Sequence, residues 1–175
     1  SEWEQLAFCV AGCRGAVGQR TTMSGTAAVR DALFDVRIRA IASNGSGVAD
    51  LADGRVVFIP RTAPGDRARV RLGKVKRKWA QASLVELLEH AAGRVDAPCP
   101  LFDTCGGCTI QHLAYEDQLE WKGLFISDAL RRIGGFEVDP PKVQASPQVL
   151  GYRNRVSYSL RRLRGGRVIA GFHAL

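Results

Sequence analysis

Residues 67–72 have the sequence Arg67-Ala68-Arg69-Val70-Arg71-Leu72, in which arginine and an apolar residue alternate strictly. Successive side chains of a β-strand point to opposite faces of the sheet. The pattern therefore predicts a strand with one cationic face and one face packed into a hydrophobic core.

Further short strands are predicted on both sides of this one, separated by turn residues. Asn44-Gly45 and Asp53-Gly54 are typical of tight turns, and Asp-Gly in particular favours a hairpin. No helical pattern interrupts the region between Phe34 and Leu88, so four or five short strands predict a small closed β-barrel. The predicted strands are residues 36–40, 48–51, 56–59, 67–72 and 79–88.

Charge and composition limit the function classes. The chain has 175 residues, 46% hydrophobic and 24% charged, a net charge of +8 and a pI of about 9.7. These values are typical of a globular protein with an anionic partner, either nucleic acid or an acidic membrane surface. No apolar run approaches the roughly 20 residues of a membrane span, and Glu2 and Glu4 argue against a signal peptide. We therefore expect a cytoplasmic protein.

The basic residues form two candidate RNA-binding clusters. Alternating arginines, a following lysine-rich stretch and the aromatic Trp79 are typical of barrels that bind single-stranded nucleic acid. A charged edge strand that resists pairing is the alternative, and Trp79 is as compatible with the core as with base stacking. The first cluster comprises Arg67, Arg69, Arg71, Lys74, Lys76, Arg77 and Lys78. The second comprises Arg153, Arg155, Arg161, Arg162, Arg164 and Arg167.

Three cysteines, Cys99, Cys105 and Cys108, lie within ten residues, and Gly106-Gly107 separates the last two. Converging thiolates need a tight turn, and glycines permit positive φ and leave amide N–H groups free to point at sulfur. The spacing predicts a metal or iron–sulfur site, which we call the knuckle (residues 99–108). Three buried free thiols are the alternative.

Spacing alone does not choose the metal. His112, or less favourably His90, would complete a Cys3His zinc site. Two further cysteines, Cys9 and Cys13, are interpreted as incidental thiols in an amino-terminal extension, with a second metal pair as the alternative. Met23, the only methionine, is interpreted as the natural translation start.

Beyond the knuckle, one helix and two strands are predicted. Apolar residues recur at helical spacing from Tyr115 to Ile133, and Gly134-Gly135 ends the pattern. Trp121 and Phe125 are expected to pack against the barrel or the carboxy-terminal strands. Those strands are predicted at residues 152–160 and 167–172. The chain stops directly after the second, which suggests a fragment of something longer. The fold class is α+β, mainly β with one long helix.

The order of these features resembles a known family. The motifs are Cys99-Pro-x4-Cys105-Gly-Gly-Cys108, then Gln111-His112, Tyr115, Gln118-Leu119 and Lys122, then Gly151-Tyr152-Arg153-Asn154-Arg155. Together they resemble the amino-terminal half of the bacterial RNA uracil-C5 methyltransferases, in particular the type that modifies a uridine in 23S ribosomal RNA. The resemblance covers residues 34–175.

The absence of periodicity before Met23, together with the resemblance over residues 34–175, predicts a division of the chain into three parts. Residues 1–33 are then an unstructured extension, residues 34–90 a TRAM-like RNA-binding barrel, and residues 91–175 an iron–sulfur knuckle, a helix and part of a central domain. The resemblance also implies a [4Fe–4S] cluster held by four cysteines. Cys99, Cys105 and Cys108 match the first three, and the fourth is expected just beyond Leu175.

The family's reaction is methyl transfer from S-adenosylmethionine to uracil C5, through addition of a cysteine thiolate to C6. No sequence here matches that machinery, so no catalytic or cofactor-binding residue is predicted and the chain alone is expected to be an inactive monomer. The expected partner is 23S ribosomal RNA. Two other classes are a separate RNA-binding module with a structural Cys3His zinc site and, ranked last, a small electron-transfer protein.

Overall fold

The structure is a computed structural model, and it describes residues 31–174. The predictions for Cys9, Cys13, Met23 and the amino-terminal extension therefore lie outside the described residues, apart from the last three positions of that extension.

Six strands form one curled sheet. Their order is β1-β5-β6-β4-β3-β2, and all neighbours are antiparallel except β4 and β6, which are parallel. The edge strands β1 and β2 are separated by only Ile38 and Arg39, so the sheet must curl back on itself. The backbone N–H of Arg39 donates to Val48 O at 2.9 Å, which joins the two sides. The strands are β1 (Leu33–Arg37), β2 (Ala40–Ile41), β3 (Gly47–Asp50), β4 (Val56–Ile59), β5 (Arg67–Val75) and β6 (Trp79–Glu89).

The core lies inside the curl. Val57, Ile59, Val70 and Leu72 are each fully buried there. Full burial of such a side chain contributes about 1.5–3 kcal/mol. In β5 the apolar residues face this core while Arg67 and its alternate arginines face outward, so the predicted two-faced strand is confirmed. The mainly β fold class with one helix is confirmed as well.

The turn between β3 and β4 follows the predicted hairpin chemistry. Gly54 has φ of 84°, a conformation that glycine adopts without steric cost. The Asp53 carboxylate accepts the backbone N–H of Arg55 at 3.1 Å, and so closes the turn locally.

One helix follows the knuckle. α1 (Tyr115–Ala129) continues into a single π-helical turn, Leu130–Gly134, and Gly135 ends it with φ of 70°. Trp121 and Phe125 pack against a small cluster formed by Ile41, Ala63 and Leu113, so the predicted packing on the barrel is confirmed.

The carboxy-terminal region is largely exposed. It contains one hairpin, β7 (Ser159–Arg162) and β8 (Val168–Gly171), joined at Gly165-Gly166. The prediction of a strand over residues 152–160 is wrong for most of its length, because strand geometry begins only at Ser159. Residues 152–158 have no partner strand among residues 31–174, and without a partner their backbone groups form no ladder.

Candidate functional site

The basic face of β5 is partly neutralised by neighbouring strands. Arg69 donates to Asp35 on β1 at 2.8 Å and to Glu86 on β6 at 3.4 Å. Arg67 pairs with Glu89 at 3.2 Å. The hydrogen bond from Arg69 lowers the pKa of Asp35 below its ordinary value. Two of the three alternating arginines are thus ion-paired, so they present less net charge to a ligand than the sequence indicated.

The turn between β5 and β6 carries basic side chains whose charge is less neutralised by carboxylates than that of Arg67 and Arg69. We call this turn, with its flanking residues 71–79, the basic hairpin. Arg71, Lys74, Lys76 and Arg77 are exposed, and no carboxylate within residues 31–174 forms an ion pair with any of them. Positive potential on the barrel is therefore concentrated at this end of the sheet.

Trp79 closes the basic hairpin. Its ring meets Phe58 edge-on with centroids 6.4 Å apart, and Lys74 Nζ lies 5.6 Å from its centroid. The side chain is half-buried, so Trp79 both supports the hairpin and leaves part of its surface accessible. The burial of Trp79 is therefore compatible with both alternatives, a core residue and a stacking platform.

The knuckle is a series of tight turns. The N–H of Cys105 donates to Leu101 O at 2.8 Å, the N–H of Gly107 points at Cys105 Sγ at 3.3 Å, and Gln111 Nε2 points at Cys108 Sγ at 3.3 Å. All three knuckle cysteines are free thiols. The expectation that an amide would face sulfur is confirmed at Gly107.

The two glycines of the knuckle allow another segment of the chain to approach closely, and they do not adopt unusual backbone angles. Neither Gly106 nor Gly107 has positive φ, so that part of the prediction is wrong. A Cβ at Gly106 would lie 2.7 Å from His173 O, and one at Gly107 would lie 3.2 Å from the Phe172 ring. The segment after β8 therefore runs directly over the knuckle. The Gly106 N–H donates to His173 O at 2.8 Å, and Cys105 pairs with Ala174 in an isolated antiparallel bridge.

Arg61 joins the barrel to the knuckle, and sequence reasoning missed it. Its guanidinium donates to the carbonyls of Cys105 and Cys108, each at 2.8 Å, and lies 3.6 Å from the centroid of the Phe102 ring. Burial lowers the pKa of Arg61, against the opposing effect of Asp103 and the two cysteines. No local pattern marks this arginine, because its partners lie 44 and 47 residues away.

A buried ion pair between Asp66 and Arg94 lies next to Arg61. Asp66 is fully buried and accepts from Arg94 at 2.6 Å and from the backbone N–H groups of Ala63 and Ala91 at 2.6 and 2.8 Å. Burial raises the pKa of Asp66, but these hydrogen bonds outweigh it, so its pKa lies below the ordinary value. Arg94 also donates to Arg61 O at 2.8 Å, which ties the linker before the knuckle to the barrel.

His112 is buried beside the Phe102 ring, with centroids 5.5 Å apart. No hydrogen bond of full geometry reaches either ring nitrogen within the described residues. Burial lowers the pKa of His112, and the nearby backbone of Thr62 opposes this only in part. His90 is exposed. Within residues 31–174 no three His, Cys, Asp or Glu side chains converge as metal ligands. Neither the three knuckle cysteines by themselves nor these cysteines together with His112 converge on a common point in the described residues.

The second arginine cluster lies in the exposed carboxy-terminal region. Arg153 and Arg155 are exposed in the segment that precedes β7, and Arg161 and Arg162 are exposed on β7 itself. None of the cluster's six arginines forms an ion pair with a residue of the described range. Among residues 31–174 there is also no helix long and apolar enough to cross a membrane.

Comparison with known proteins assigns the barrel to a class. Residues 32–85 match the model of the TRAM domain family. The chain is 46% identical over 143 residues to an uncharacterized RNA methyltransferase of Synechocystis sp., and 45% identical over 144 residues to one of Nostoc sp.. Each similarity covers 81% of this chain, and 30% and 31% of the respective relative. Residues 32–85 thus belong to the TRAM domain family, and the chain as a whole is related in sequence to RNA methyltransferases.

A solved structure is similar as well. The tRNA (uracil-54, C5)-methyltransferase of Pyrococcus abyssi, in complex with S-adenosyl-L-homocysteine, is 37% identical, with 71% of this chain and 26% of that one covered and a TM-score of 0.47. The chain thus spans less than a third of the length of these relatives. The TRAM match and the relatives from Synechocystis and Nostoc confirm the resemblance seen in the sequence at the level of RNA methyltransferases.

Proposed function

We propose that this chain is the RNA-binding portion of an S-adenosylmethionine-dependent RNA uracil-C5 methyltransferase in the cytoplasm. The observation that carries the proposal is the TRAM match at residues 32–85 within a longer similarity to RNA methyltransferases. The substrate proposed from the sequence motifs is a uridine of 23S ribosomal RNA, which places the protein in ribosomal RNA processing. S-adenosylmethionine would bind the full-length enzyme only, and we expect no methyl transfer by this chain alone.

The basic hairpin is proposed as the principal RNA contact. Lys74 and Lys76 are exposed and lack ion pairs in the described range, so a phosphate can approach them without displacing a carboxylate. Arg67 and Arg69 already have partners and must exchange them for phosphate. The proposed surface comprises Arg67, Arg69, Arg71, Lys74, Lys76 and Lys78 on the barrel, with Arg153 and Arg155 in the carboxy-terminal region.

A pair of charge-matched variants tests this surface. Lys74→Gln/Lys76→Gln and Arg67→Gln/Arg69→Gln each remove two positive charges. Because only the first pair lacks internal partners, we expect it to lower affinity for a ribosomal RNA hairpin by roughly tenfold, and the second pair to lower it less. Fluorescence anisotropy with a labelled RNA measures both. An equal loss in the two variants would contradict the dominance of the basic hairpin, and no loss in either would place the RNA surface elsewhere.

We further propose that the knuckle holds a [4Fe–4S] cluster through Cys99, Cys105 and Cys108. Support comes from the donor chemistry: three free thiols, N–H groups directed at two of the sulfurs, and the Arg61 guanidinium beside the knuckle backbone. Such hydrogen bonds and nearby positive charge stabilise anionic thiolate ligands. The segment after β8 passes beside this site, because Ala174 pairs with Cys105 in an antiparallel bridge.

When bound, the cluster would order the knuckle and the segments that contact it. Anaerobic purification of the chain tests the assignment. A brown protein with broad visible absorption, lost in the Cys108→Ser variant, is expected. A colourless protein with one zinc per chain would refute the cluster and favour a Cys3His site.

A further inference from the structure

We propose that the cavity between α1 and the extended segment 143–152 binds one nucleotide of single-stranded RNA. The inference rests on the proposed RNA-binding function and adds a specific base-binding site to it, distinct from the basic hairpin. The cavity has a volume of about 410 Å³, within the range of roughly 300–1,000 Å³ typical of small-molecule sites.

Some side chains in the walls of the cavity are held by hydrogen bonds, and others have side-chain amide groups available to a ligand. The Tyr115 hydroxyl accepts the backbone N–H of Ser146 at 2.8 Å, which holds the extended segment against the start of α1. Gln118 Nε2 donates to Leu113 O at 3.0 Å, so its carbonyl oxygen remains an acceptor. Gln144 and Gln148 also line the cavity, and their side-chain amides have no hydrogen-bond partner in the described residues.

These amides suit a nucleobase. A glutamine side chain offers both a donor and an acceptor, as the hydrogen-bonding edge of a base requires. Tyr152 also lines the cavity and is 62% exposed as a residue, and an exposed aromatic face stacks on a base of any identity. Amide, phenol and aromatic surfaces together favour a planar polar ligand over a purely apolar one.

The charge of the cavity favours a ligand that carries a phosphate. Lys122 is the only charged residue among the described lining residues, and it has no ion pair there. Arg153, which follows Tyr152 in the chain, is exposed and equally unpaired. A base in the cavity would therefore have two cations available for its own or a neighbouring phosphate.

Photocrosslinking with a matched pair of tyrosine variants tests the site. The probe is an eight-nucleotide single-stranded RNA that contains 5-iodouridine, irradiated with the full chain and mapped by mass spectrometry. We expect crosslinks at Tyr152 or Tyr115. Tyr152→Ala should weaken binding about fivefold or more through loss of stacking, whereas Tyr152→Phe should retain binding. Tyr158→Ala is the control, because Tyr158 is also exposed but lies outside the cavity.

The outcomes separate this inference from the proposed function. Equal affinity of the Tyr152→Ala and Tyr158→Ala variants, with crosslinks confined to residues 71–79, would overturn the nucleotide site and leave RNA binding by the barrel intact. Absence of RNA binding by the unmodified chain would overturn both. Circular dichroism of each variant checks that α1 remains folded, and a Tyr152→Phe variant that loses binding would contradict the stacking role.

Discussion

The barrel and the carboxy-terminal region from Phe136 onward use similar residues in opposite ways. In the barrel, Leu72 is fully buried and Arg69 is ion-paired on both sides. In the carboxy-terminal region, Leu160 is 73% exposed and the arginines have no carboxylate partner among residues 31–174. The barrel therefore derives its stability from its own contacts. The carboxy-terminal region leaves apolar and cationic groups on the surface, where they are open to other molecules or to other parts of a longer chain.

The largest effect on stability is expected at the buried ion pair that anchors the knuckle linker to the barrel. Asp66→Ala leaves Arg94 without its carboxylate partner and two backbone N–H groups unsatisfied, so the unfolding free energy should fall by about 3–5 kcal/mol. Asp50→Ala removes the exposed partner of Arg39 and should cost about 1 kcal/mol or less. Urea denaturation measures both. Equal losses would show that Asp66 does not anchor the linker.

The contrast between core and exposed leucines is tested by one substitution at two positions. Leu72→Ala opens a cavity in the barrel and should lower the unfolding free energy by about 2–5 kcal/mol. Leu160→Ala removes a side chain that already faces solvent and should change it by about 0.5 kcal/mol or less. A comparable loss at Leu160 would mean that β7 packs against a surface not seen among residues 31–174.

A smaller effect is expected in the pH dependence of stability, through His112. Its pKa is lowered in the folded state, so between that pKa and the ordinary value of 6.5 the unfolded chain binds more protons. Stability should therefore decrease as pH falls below 6.5, by at most about 1.4 kcal/mol per pH unit. Thermal melts of the chain and of His112→Leu from pH 7 to pH 5 measure this. The variant should lose that part of the slope, and an unchanged slope would assign it to another group.

The sequence pattern predicted those features of the fold that depend on residues close together in the chain. Alternation in β5 gave both faces of the strand, Asp53-Gly54 gave the hairpin, and Gly134-Gly135 marked the end of the helical region. The ion pairs of Arg69 were not predictable, since Asp35 lies 34 residues away and Glu86 17 residues away. The strand predicted from residue 152 failed because a strand needs a partner as well as a favourable sequence.

For the knuckle and its surroundings, the sequence predicted which types of residue are present better than how they are arranged. Cysteine and glycine spacing indicated the knuckle, and an amide does face Cys105 Sγ. Arg61 was not predicted, because its role depends on how the loop after β4 meets the knuckle in three dimensions. The cavity beside α1 likewise requires the extended segment to return to Tyr115, which no periodicity encodes.

Phosphate contact by the basic hairpin is tested by the salt dependence of RNA affinity. If exposed cations of the basic hairpin contact phosphates, log K should fall linearly with log salt for the unmodified chain. The slope should decrease by about one for each lysine removed in Lys74→Gln/Lys76→Gln. A slope unchanged by that double substitution, or an affinity independent of salt, would show that Lys74 and Lys76 do not contact phosphates.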